Sequence, residues 1–179
     1  MIILIGGSSH VGKTLLAQKL LERLHYPYLS LDHLKMGLIR SGLTDLTVED
    51  DYEMRYYLWP IAAEMVKTAV ENRQDLIVEG CYIPGEWREE FPAEYLKDIR
   101  CIFLVMSERY LRENFDAVKE NASVIEQRLD DRPDPERLIA CSADFREICA
   151  QHDIPCLEID GAYDIERIAD EVMERLALR

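Results

Sequence analysis

Ile2-Ile3-Leu4-Ile5-Gly6-Gly7-Ser8-Ser9-His10-Val11-Gly12-Lys13-Thr14 carries an apolar run straight into a complete G-x-x-x-x-G-K-T signature. Such a loop is a phosphate cradle. The glycines at its two ends let the backbone curl until successive N–H groups point inward, Lys13 adds a mobile cation, and Thr14 supplies a hydroxyl for a phosphate-bound magnesium ion. The context on both sides agrees with this reading. Ile2 to Ile5 is short, branched and apolar, as a central parallel strand is, and Leu16, Ala17, Leu20, Leu21 and Leu24 form a helical stripe at steps of three and four. The positive N-terminal end of that helix faces the same anion. Gly7, Ser8, Ser9, His10, Val11, Gly12, Lys13 and Thr14 are therefore expected to bind a nucleotide, His10 mainly through its backbone.

Working outward, further strands are expected at Tyr28 to Leu31, Leu76 to Glu79, Cys101 to Met106 and Cys156 to Ile159, with helical patterns between them. Strand and helix alternate throughout, which means an α/β parallel sheet covered on both faces, with ligands at the carboxyl ends of the strands. Leu58, Ile61, Ala62, Met65, Val66 and Ala69 mark one core-facing helix, and Ile165, Ile168, Ala169, Val172, Met173 and Leu176 another. Pro60 predicts that the segment from Val48 to Asn72 divides into two helices. The more polar stretch of residues 108–135 is expected to be a lid over the phosphates.

At 179 residues the chain suits a single domain. Its formal net charge of −14 leaves no basic face for nucleic acid or an anionic membrane, and no apolar run approaches the roughly 20 residues that cross a bilayer. The N-terminal apolar run stops at Gly6 without a basic leader, so the cytoplasm is the expected location. Partners are expected to be a small-molecule acceptor and, at most, a second copy, giving a monomer or homodimer. The five cysteines lack C-x-x-C spacing and read as reduced core residues; Cys81, just beyond a strand end, is also read as packing.

Charged side chains at strand ends carry the chemistry. Asp32, following Tyr28-Leu29-Ser30-Leu31, could accept a proton from an attacking hydroxyl or hold magnesium through water, or it could cap the next helix. Glu79 ends the apolar strand Leu76-Ile77-Val78 and could orient magnesium-bound water, bind a substrate hydroxyl, or pair with an arginine. In the lid, Arg128 and Arg132 are preferred over Arg109 and Arg112 as the charges that stabilise a moving phosphoryl group, since four-residue spacing gives them one helical face. The alternative is pairing with Glu126, Asp130, Asp131 or Glu136 on a solvated surface. Arg40, Tyr52, Arg55, Tyr56, Trp59, Tyr82 and Trp87 border the expected acceptor cleft, with Arg40, Arg55 and Tyr82 named as substrate contacts beside Asp32 and Glu79; aromatic side chains at helical spacing also suit a core.

These motifs resemble those of the P-loop small-molecule kinases, the group that includes adenylate kinase, chloramphenicol phosphotransferase and 2-phosphoglycerate kinase-like proteins. Gly6-Gly7-Ser8-Ser9 with Gly12-Lys13-Thr14 looks like the loop of the latter two, and Arg128-Leu129-Asp130-Asp131 is similar to the end of the adenylate kinase lid. The long adenylate kinase lid itself is missing. The resemblance implies a five-stranded sheet of order 2-3-1-4-5, ATP with Mg2+ as phosphoryl donor, and catalysis by Lys13, Asp32, Arg128 and Arg132. It also implies that Thr14 ligates magnesium, with Asp32 and Glu79 read above from their strand-end positions as further magnesium contacts, and an adenine contact by Gly161 and Ala162 after the last strand. The function so expected is ATP-dependent phosphotransfer to a hydroxyl or phosphate of a metabolite, nucleoside, nucleotide or antibiotic. A regulatory NTPase working through a protein partner and a toxin-like sugar-nucleotide kinase are the alternatives, although no N-K-x-D guanine motif occurs.

Overall fold

The computed structural model describes residues 1–121 and 134–178. Strand β1 (Ile2–Gly7) is buried along its whole length and lies between β3 (Leu76–Glu79) and β4 (Ile99–Met106), all parallel. With β2 (Tyr28–Ser30) beside β3 and β5 (Cys156–Ile159) beside β4, the sheet has the order β2-β3-β1-β4-β5. Two of the expected strands, Leu76 to Glu79 and Cys156 to Ile159, match residue for residue. The others shift by one or two residues at an end.

Helices α1 (Lys13–Leu24), α2 (Leu31–Ser41), α3 (Asp51–Glu71), the one-turn α4 (Ala93–Leu96), α5 (Glu108–Glu120), α6 (Pro135–Gln151) and α7 (Ile165–Arg175) fill the connections. Because side chains alternate across a strand, β1 feeds two separate cores. Ile2 and Leu4 join Val78, Phe103 and Val105 under α3 and α6, whereas Ile3 and Ile5 join Ile77, Ile102, Leu104 and Leu157 under α1 and α7. The two layers make the sheet edge a rigid platform, and the carboxyl ends of β1, β3 and β4 present their loops on one side of it. Among the described residues no helix is long and apolar enough to cross a membrane.

Three expectations are corrected here. The segment around Pro60 is one helix: Met54, Leu58 and Trp59 on one side of the proline and Ala62, Ala63, Val66 and Ala69 on the other are all buried, so packing holds both halves in line. Pro60 itself faces outward, where its ring and missing N–H do least damage. Strand β2 ends at Ser30, because Leu31 starts α2 and packs under Gly80. Trp59 and Trp87 belong to the core, each meeting the Phe91 ring edge-on with centroids 6.1 Å apart, so neither is available to an acceptor.

Candidate functional site

The loop between β1 and α1 is fixed by a few close approaches. Gly7 has φ 118, and a Cβ there would lie 2.0 Å from the Leu104 carbonyl oxygen; Gly12 caps α1 at φ 89. Only glycine takes both positions without strain. The Ser8 N–H donates to Leu104 O at 3.0 Å, tying the loop to β4, and the Ser142 hydroxyl of α6 donates to Ser8 Oγ at 3.0 Å. Ser9 Oγ and His10 Nδ1 stand 2.8 Å apart, and His10 has a left-handed backbone with φ 63. Val11 is buried beneath the curl. All eight residues expected in the cradle are thus brought together.

Lys13 is 7% exposed, and its ammonium folds over the loop to donate to Ser8 O at 2.6 Å. No carboxylate pairs with it among the described residues. A buried cation held by one carbonyl is poorly compensated, and the compensation it lacks is an anion. The Thr14 hydroxyl donates to Glu79 Oε1 at 3.2 Å, which joins the first turn of α1 to the end of β3. Glu79 is 1% exposed and in register with Ile5 and Ser30, so its carboxylate sits at the centre of the sheet edge.

These residues suit a phosphate with a hard divalent cation. Oxygen donors from Thr14 and Glu79 match magnesium chemistry. Among the described residues no group of three or more His, Cys, Asp or Glu side chains converges on one point.

Beside the cradle lies a polar cluster that connects α2, α3 and the segment after β3. Asp32 falls in the first turn of α2, with Ser30 rather than Asp32 at the cap position, so the capping alternative is set aside. Asp32 is half-buried, and its charge, together with burial and Asp51, disfavours ionisation of Cys81 and Tyr82. Burial pushes the Cys81 thiol up to about 11 even though Lys13 acts in the opposite direction, so this cysteine is an inert packing group.

Tyr82 is buried; its hydroxyl donates to Asp51 Oδ1 at 2.8 Å and accepts from Lys35 Nζ at 2.9 Å. Lys35 also donates to Asp51 Oδ1 at 2.6 Å and to Val48 O at 3.2 Å. Burial, before any charge, holds the Tyr82 phenol protonated. Arg55 of α3 reaches the Cys81 carbonyl at 3.4 Å, with its guanidinium 5.6 Å from the Phe145 ring centre.

Arg40 is the exception among the expected acceptor contacts. It is exposed in the last turn of α2, eight residues beyond Asp32 and hence about 12 Å further along the helix axis. The preferred lid arginines, Arg128 and Arg132, lie outside the described residues. Arg109 and Arg112 are engaged in surface pairs, the first with Asp160 at 2.8 Å and the second with Glu136 at 2.7 Å and Glu108 at 2.9 Å.

Gly161 and Ala162 are exposed on the turn after β5. Asp160 anchors that turn by accepting from the Ser107 hydroxyl and from Arg109, and both contacts hold its carboxyl below the ordinary value of 3.8.

Sequence reasoning missed Lys35, Asp51 and Ser142. A signal for Lys35 existed: it occupies a position in the stripe Leu31, Leu34, Lys35, Leu38, where an apolar residue is expected. Asp51 and Ser142 gave none, because their partners are remote in the chain.

No family model matches the chain, and no curated protein matches it. Solved structures do. Shikimate kinase from Bacteroides thetaiotaomicron superposes with a TM-score of 0.59 at 15% identity, covering 99% of both chains. Deoxyadenosine kinase from M. mycoides gives the same values, a TM-score of 0.59 at 15% identity over 99% of each chain. A gluconokinase from Sinorhizobium meliloti 1021 reaches 0.55 at 19% identity, covering 98% of this chain and 90% of its own. At such identities the likeness concerns architecture, and the chain has the fold that these kinases share.

Proposed function

We propose that the protein transfers the γ-phosphoryl group of ATP to a hydroxyl or phosphate of a small-molecule acceptor. The observation that carries this reading is Lys13: an ammonium buried at the start of α1 and folded over a curled loop, with no carboxylate partner among the described residues. The fold that the chain shares with the kinases above supports it.

Magnesium, bound beside Thr14 and Glu79, would supply charge neutralisation for the phosphate oxygens. Lys13 and the loop N–H groups hold the phosphates and take up charge that develops as the bond to the leaving diphosphate breaks. Asp32, in the first turn of α2 just beyond the end of β2, is the group that takes the acceptor's hydroxyl proton as the new phosphorus–oxygen bond forms. Lys35, Asp51 and Tyr82 hold α2 against α3 and the segment after β3, which keeps Asp32 in place. Arg55 lies on the same side and supplies positive charge toward the acceptor.

The test is Asp32→Asn. Turnover should fall by about 100-fold or more, as expected for loss of a positioned general base, while nucleotide affinity stays within about threefold of wild type. A variant that retains full turnover would remove Asp32 from the chemistry.

A further inference from the structure

The turn that leaves β5 returns to the phosphate loop through Tyr163. Its ring packs into the core shared by α1, α5 and α7, and its hydroxyl points at Gly12: a Cβ on that glycine would lie 2.0 Å from the phenolic oxygen. That oxygen exposes less than 1 Å2, yet it has no hydrogen-bond partner among the described residues. A buried hydroxyl without a partner costs folding stability, and a phenylalanine ring would fill the same space without the penalty. The orphaned atom sits against the residue that caps α1, one position before Lys13, where the loop's amides and the helix N-terminus meet an anion.

We propose that the Tyr163 hydroxyl is a ligand of the bound nucleotide, donating a hydrogen bond to its phosphate chain at Gly12. The inference rests on the phosphate-loop reading of the site and adds a contact from the turn after β5. Burial raises the phenol to about 12, so at neutral pH the group remains an O–H donor, the form an anionic oxygen requires. Gly12 acquires a second role, because any side chain there would collide with Tyr163 as well as strain the backbone. The Asp160 anchor holds the turn that presents the tyrosine, so the end of β5 and the start of α1 form one binding surface.

The test is isothermal titration of wild type, Tyr163→Phe and Lys13→Ala with a non-hydrolysable ATP analogue and magnesium, without acceptor, beside thermal melts without nucleotide. Tyr163→Phe should bind roughly tenfold more weakly than wild type, equivalent to 1.4 kcal/mol, and should melt at or above the wild-type temperature when free. Wild-type affinity in Tyr163→Phe, with binding abolished in Lys13→Ala, would overturn the tyrosine's role and leave the loop reading intact. A free Tyr163→Phe protein that melts below wild type would also overturn it, since the hydroxyl would then serve the free fold. Failure of the wild-type protein to bind the analogue would overturn both.

Discussion

Replacing Lys13 with methionine should stabilise the free protein while it destroys nucleotide binding. The side chain is 7% exposed and its ammonium has one partner among the described residues, Ser8 O at 2.6 Å. Two terms oppose each other. Losing a charge-assisted hydrogen bond costs about 1.5–3 kcal/mol, whereas relieving the desolvation of a buried, unpaired ammonium returns several kcal/mol. Methionine fills much the same volume, so no large cavity offsets the gain. The net expectation is about 1–2 kcal/mol of added stability, or roughly 2–8 °C in melting temperature for a domain of this size. Saturating magnesium-ATP acts in the other direction. At 100 times its Kd it should stabilise wild type by about 2.7 kcal/mol and the variant not at all. Thermal melts with and without magnesium-ATP read both effects. A Lys13→Met protein that melts below wild type, or that still gains stability from ATP, would refute the argument that this lysine is held in wait for an anion.

Glu79→Gln should raise the magnesium concentration needed for half-maximal nucleotide binding by about 10- to 100-fold, and an unchanged magnesium titration would detach Glu79 from the metal. Asp51→Ala should destabilise by about 1–2 kcal/mol, less than for a fully buried pair because the Asp51 side chain is half-exposed and Lys35 keeps Tyr82 and Val48. Adding Lys35→Met to that variant should restore most of the loss, and a double-mutant cycle with no coupling would count against the cluster. For Asp160 the sign follows from its lowered folded-state value, caused first by Ser107 and then by Arg109. Its stabilisation is present above the ordinary value of 3.8 and is lost as pH falls through the lower folded value. Asp160→Asn should therefore melt below wild type at pH 7, with the gap closing as the pH falls below 3.8; a constant gap across that range would contradict the assignment.

Local signals made the centre of this fold readable. The buried strands are apolar runs with abrupt ends, and the phosphate loop is a contiguous motif whose geometry requires glycine at Gly7 and Gly12. The boundary at Leu31 misled because an apolar residue after a strand suits either a longer strand or the buried face of a helix, and Gly80 decided it by leaving room for the leucine. Arg40 and Arg55 looked equivalent in the sequence. Helix α3 turns Arg55 toward the Cys81 carbonyl, whereas α2 carries Arg40 to its far end. Ser142 with Ser8, Tyr163 with Gly12 and Tyr82 with Lys35 are contacts across the chain that no spacing rule encodes. They depend on where the sheet order places β5 and on how α6 returns over β4.

The most direct measurement is magnesium-dependent ADP formation over a panel of sugar acids, nucleosides, nucleoside monophosphates, phosphoglycerates and hydroxyl-bearing antibiotics, with Lys13→Ala as control. The account predicts that one acceptor class raises the rate well above substrate-free hydrolysis and acquires the phosphoryl group, and that the Lys13→Ala protein does neither. ATP binding with no response to any small acceptor, but with hydrolysis stimulated by a protein partner, would contradict it and identify a regulatory NTPase instead.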